Sequence, residues 1–194
     1  MSPRLSVSGL FAALITTTAL MTTTVLAADE PFGVLDIGLG ASYARLERDL
    51  DFRDINASLA RKAGPPDLGK RGYGCMQRDD DFADVGCVSH IERLDGTETR
   101  EIRLHFLDGR LQQFSLSAEV RNFDAVVAYL TTRFGPPQAV PVQSVTDQPS
   151  VKWQSPAGQI VAHRGKDLVF VNFELVSYPD AVKRKREGQR LQCV

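Results

Sequence analysis

The sequence predicts an α+β fold, with antiparallel sheet packed by helices and built as two tandem helix-plus-three-strand units. Three observations predict it. Helical periodicity twice runs into a stop, at Gly64-Pro65-Pro66 and Gly135-Pro136-Pro137; Pro cannot continue a helix and Gly suits the residue just past its end. After each stop the apolar period changes from helical to alternating. Asp95-Gly96 and Asp108-Gly109 then separate alternating runs as hairpin turns. The composition agrees: 43% apolar residues with 23 Lys+Arg against 24 Asp+Glu, for a net charge of −1. Such a balance excludes a wholly disordered chain, a collagen and a multi-span membrane protein. It supplies no electrostatic demand for nucleic acid.

The elements follow in chain order. From Leu5 to Ala28 no residue is charged, and the apolar run ends in small residues at Val25-Leu26-Ala27. One positive side chain, an apolar centre and a small-residue end are the three parts of a secretory signal peptide. Residues 1–27 are therefore expected to be a signal, cleaved after Ala27 or Ala28. The alternative, an uncleaved anchor, is weakened by Thr16–Thr18 and Thr22–Thr24. Residues 28–121 form the first unit. Its helices are Ser42–Leu50, with Tyr43, Leu46 and Leu50 on one side, and the run carrying Ile55, Leu59 and Ala63. Its strands are Cys87–Leu94, Glu101–Leu107 and Arg110–Val120, with Ile102, Leu104 and Phe106 alternating with Arg103 and His105.

Residues 122–178 form the second unit. Phe123, Val126, Val127, Leu130 and Phe134 repeat at helical spacing, with Asn122 as the expected N-cap. The strands are Val151–Ser155, Gln159–His163 and Leu168–Ser177. Residues 179–194 read as a basic terminal helix or tail beginning after Pro179.

The order helix, Gly-Pro, loop, Cys or Trp, then an Asp-Gly hairpin resembles the helix-then-sheet unit of the β-lactamase-inhibitor-protein type. A similar unit occurs in the outer-membrane lipoprotein of the β-barrel assembly machinery. Ile37-Gly38-Leu39-Gly40-Ala41-Ser42 and Trp153-x-x-x-x-Gly158 carry the likeness, which spans about Leu39 to Ser177. The whole chain is also similar to exported proteins of proteobacteria. No lipid-attachment cysteine stands near the expected cleavage site, a departure from the lipoprotein branch. The resemblance implies that the sheet face and its loops serve as a protein-binding surface.

In an exported chain, Cys75 and Cys87 are expected to pair as a disulfide, stabilising by on the order of 2–3 kcal/mol. Cys193 is left over, as a free thiol, an intermolecular bridge or a rival partner. Cys87-x-x-His90 also has zinc-ligand spacing, but a fourth ligand is lacking, so no metal and no cofactor is expected. Asp79, Asp80, Asp81 and Asp84 lie inside the cysteine loop without the spacing of a calcium loop, since Asp84 and His90 stand where Gly and Glu are needed. They are expected to form a charged rim. His90, His105 and His163 belong to no nucleophile motif. Phe170 and Phe173 point to opposite faces of a strand, so one of them is a candidate for exposed recognition.

The candidate binding surface is therefore Asp79, Asp80, Asp81, Asp84, His105, Phe170 and Phe173, while Lys183, Arg184, Lys185 and Arg186 could meet an anionic surface. The function expected is that of a periplasmic or secreted, non-enzymatic envelope protein whose partner is another protein or an envelope component. Nucleic acid is not expected, and neither is a membrane span after signal cleavage. The rival readings are a hydrolase with its site between the halves and membrane-surface binding through the basic tail.

Overall fold

Alternation along Thr97–Leu107 and Arg110–Glu119, interrupted by register shifts at Thr99/Glu101 and His105/Phe106, makes each run a strand with one apolar face, and Asp108-Gly109 closes them into a hairpin. Both turn residues have positive φ, 54° and 68°, as the tightest hairpin turn requires. This hairpin lies at the centre of a larger sheet. The computed structural model describes residues 32–55, 72–78, 80–89, 93–140 and 149–192. Within them a small hairpin comes first, β1 (Gly33–Val34) with β2 (Ile37–Gly38). Helix α1 (Tyr43–Asp49) is capped by the Ser42 hydroxyl, which accepts from the Arg45 amide at 3.2 Å.

There follow β3 (Asp51–Asp54), β4 (Gly72–Gln77), β5 (Val85–Ser89), β6 (Arg93–Leu94), β7 (Thr97–Leu107) and β8 (Arg110–Glu119). Helix α2 (Phe123–Phe134) separates these from β9 (Gln138–Val140), β10 (Ser150–Gln154), β11 (Gly158–Arg164) and β12 (Leu168–Leu175), and α3 (Tyr178–Gln192) comes last.

The strands join in one sheet of order β3-β4-β5-β7-β8-β12-β11-β10-β9, with β6 paired to β7. Among the described residues only β3 with β4 is parallel. The molecule is thus α+β and mostly strand. Strand β8 pairs antiparallel with β12, with Phe114 directly opposite Phe173. Their rings stack at 4.1 Å between centroids. Leu104, Phe114, Leu116, Ile160, Val171 and Phe173 bury one face completely. Phe123, Val126 and Leu130 of α2 and Leu46 of α1 belong to the same core. Trp153 is core as well, its indole N–H donating to the Gly135 carbonyl at 2.8 Å. Tyr43, Phe52, Tyr73 and Phe106 form a second aromatic group that ties α1 and β3 to β4 and β7.

Several expectations need correction. The expected strands are an undercount: β1, β2, β3, β4 and β9 were not expected, and in place of Cys87–Leu94 stand β5, which opens at Val85, and β6. Glycine explains β4, since Gly72 and Gly74 occupy the alternate positions where polar side chains would mark a strand. Asn122 makes no side-chain cap, because Val120–Asn122 is already a 3₁₀ turn leading into α2. Gly135 does close α2, at φ +81°, with its amide on Thr131 at 2.9 Å. Phe173 is fully buried and so leaves the binding-surface set. The expected signal, the helix through Leu59 and Ala63, Gly64-Pro65-Pro66, Asp79, His90 and Cys193 lie outside the described residues.

One-faced burial predicts opposite costs for two phenylalanines on the same strand. Phe173→Ala should cost about 3–5 kcal/mol in urea unfolding, as ring loss leaves a cavity against Phe114. Phe170→Ala, at an exposed site, should stay within about 1 kcal/mol.

Candidate functional site

The polar face of the sheet follows from the same alternation. Strand register sets its residues in three rows. The first runs Ser150, His163, Phe170, Ser117, Glu101. The second runs Lys152, Val161, Asn172, Ser115, Arg103, Val88, Gly74. The third runs Gln154, Gln159, Glu174, Gln113, His105, Gly86, Met76. Phe170 is 46% exposed and Met76 37%, two large apolar side chains on an otherwise polar surface.

A depression of about 310 Å³ on this face lies over β4, β5 and β7. Gly74 and Gly86 make its floor low, Met76 and Val88 flank it, and Arg78, Glu101, Arg103 and His105 line it. A second, about 150 Å³, continues over Glu101, Arg103, Ser115, Ser117 and Phe170. His105 is half-buried, and its Nδ1 has no hydrogen-bond partner among the described residues. Burial first, then the positive charges of Arg78 and Arg103, push its pKa below the ordinary imidazole value, with Asp80 opposing.

The acidic turn and the basic helix, two separate candidates in the sequence, are brought together. Asp80 turns the chain by accepting from the amides of Phe82 (2.9 Å) and Ala83 (3.1 Å), and Arg78 Nε donates to it at 2.5 Å. Burial works against its charge, but these three donors outweigh it and hold the carboxyl below the usual carboxylate value. Lys185 Nζ reaches Asp84 at 2.9 Å and the Ala83 carbonyl at 2.7 Å, with its side chain only 15% exposed. Arg186 donates to Asp81 at 2.8 Å and lies over the Phe82 ring. Arg184 stands 3.8 Å from Asp108, while Lys183 is solvent-exposed.

The Tyr178 hydroxyl donates to the Phe82 carbonyl at 3.1 Å. Burial, with Glu174 and Asp80 nearby, pushes that phenol up to about 12, so it remains a donor. Tyr178, Ala181 and Val182 pack on Leu107, which points away from the main core because it follows Phe106 on the strand. Helix α3 therefore clamps the acidic turn against one end of the polar face. Asp80, Asp81 and Asp84 serve the fold here, and so do Arg184, Lys185 and Arg186.

Cys75 and Cys87 are register partners on β4 and β5, and their sulfurs stand at disulfide-bonding distance, 2.08 Å. Such a bond leaves neither thiolate to a zinc ion, and no cluster of three metal-ligating side chains occurs among the described residues. The Ser150 hydroxyl and His163 Nδ1 lie 2.6 Å apart across β10 and β11. Sequence reasoning missed Arg78, Glu101 and Met76. The alternation of Arg103 with His105 could have pointed to the hollow, but the glycine-rich β4 hid its other wall.

No family model matches the chain, and no curated protein matches it in sequence. Among solved structures, a GTP binding regulator from Thermotoga maritima is similar over 69% of this chain and 84% of its own, at 14% identity and a TM-score of 0.35. No helix among the described residues is long and apolar enough to cross a membrane.

Two predictions follow from the clamp and the half-buried imidazole. Lys185→Met should destabilise by about 1–3 kcal/mol in urea unfolding, since it strands the Ala83 carbonyl and takes the cation from Asp84, which keeps the Asp108 amide, whereas Lys183→Met should be near neutral. A histidine whose folded pKa is depressed contributes stability above its unfolded pKa and loses it as pH falls. Unfolding free energy should therefore decline below about pH 6.5, and His105→Gln should flatten that decline in a pH series.

Proposed function

We propose that this chain is an exported, non-enzymatic binding module that holds another protein or an envelope component on its polar sheet face. The observation that supports it is Phe170. A ring 46% exposed sits mid-sheet between His163 and Ser117, beside two adjoining depressions, on a face it shares with Ser115, Asn172 and Gln113. Exposed aromatics amid adaptable Ser, Asn and Gln side chains are what recognition surfaces use.

Export is supported by the uncharged run ahead of Asp29 and by the cysteine pair, which suits an oxidising compartment. On this reading the mature chain is periplasmic or secreted and begins at Ala28 or Asp29. We read the two halves as a tandem duplication, each a helix followed by antiparallel strands, meeting at β8 and β12. The basic tail is a weaker contact surface, since three of its four cations are committed to the acidic turn or to Asp108.

A photo-crosslinking residue placed at Phe170 in cells should yield a discrete product in the envelope fraction. One at Asp124, on the exposed side of α2, should yield none. Phe170→Glu should abolish crosslinking from a probe at Ser115. Equal products from Asp124 and Phe170, or none from either, would overturn the contact-face reading.

A further inference from the structure

The larger hollow has a more specific chemistry than the face around it. Its two arginines are held in the same way. Arg78 donates through Nε to Asp80, and Arg103 through Nε to Glu101. Among the described residues neither uses its terminal Nη groups in a hydrogen bond to the protein, whereas Arg100 engages Glu119 through both Nε and Nη2. A carboxylate bound at Nε restrains each guanidinium and leaves its Nη groups to a ligand, although the Glu101 carboxylate also lines the hollow.

Gly86 is part of the same arrangement. A Cβ there would stand 2.6 Å from Cδ of Arg78, so only glycine lets that stem lie flat across the sheet. His105 is the register partner of Gly86 and has a ring nitrogen without a partner. Met76 and Val88 line the same hollow and give it an apolar part.

We propose that this hollow is a carboxylate site, taking one carboxylate carried on a short aliphatic body. Planar guanidinium edges match the planar, two-oxygen carboxylate, and the methylenes lie against Met76 and Val88. The inference rests on the contact-face reading in one respect: the carboxylate's expected source is a glutamate-like side chain of the partner. A free aliphatic acid has the same chemistry.

The test is titration of the full mature chain, by calorimetry and by chemical-shift change at His105. The probes are hexanoate, its neutral counterpart hexanamide, and a doubly blocked Ala-Glu-Ala tripeptide with its Gln analogue. Each carboxylate should bind saturably, and each neutral counterpart at least about tenfold more weakly. Arg78→Gln and Arg103→Gln should each weaken binding about tenfold or more. Arg103→Lys, which keeps the charge and loses the fork, should weaken it as well. Lys152→Gln, on the far side of the same face, should change nothing.

Peptide binding without hexanoate would support the site with a side chain as the source. Hexanoate binding without the peptide would support it with a free acid as the source. Equal binding of acid and amide, or no saturation by either carboxylate up to about 10 mM, would overturn it. Hexanoate binding that survives Phe170→Glu while crosslinking is lost would separate this site from the wider contact face.

Discussion

The pairing of β8 with β12 is the constraint on which the rest of the structure depends. It joins strands that a helix and three further strands separate in the sequence, and its centre is the Phe114–Phe173 stack, both rings fully buried. Because side chains alternate along a strand, fixing these two inward fixes the direction of every neighbour in the sheet. Helices α1 and α2 then cover the apolar side, while Ser115, Ser117, Phe170 and Asn172 turn outward from the same two strands. The candidate surface is thus the obligatory reverse of the core.

Charge is used locally, within the fold. Asp80, Asp81 and Asp84 are spread along one turn, and each is met by a cation: Arg78, Arg186 and Lys185 in that order. The Cys75–Cys87 pair lies just behind that turn, and α3 lies in front of it. The turn is therefore tethered twice, once near its base and once by contacts that bridge about a hundred residues of chain. This arrangement also steadies Arg78, the residue that spans the hollow over Gly86.

Much of the fold was legible because its signals are local. Asp95-Gly96 and Asp108-Gly109 are hairpin turns with positive φ at all four residues. Ser42 caps α1, Gly135 ends α2, and the strands after Trp153 lie close to where alternation placed them. The site was less legible because it depends on register. Nothing in the spacing of Lys185 and Asp84 says that they touch, and both were read as separate surface patches. Phe173 was offered alongside Phe170 because period two separates their faces without saying which face is buried. Gly74 and Gly86 carried no recognisable signal, yet both line the hollow, and Gly86 makes room for the Arg78 stem.

The central claim is that the monomer buries one face of a continuous sheet and leaves the other open. Hydroxyl-radical footprinting of the mature chain at low concentration measures that directly, residue by residue. The account predicts rapid labelling of Met76 and Phe170 and protection of Phe114, Phe173 and Trp153. Protection of Met76 and Phe170 in the monomer would contradict it, because another part of the chain would then cover the face on which recognition is argued to occur.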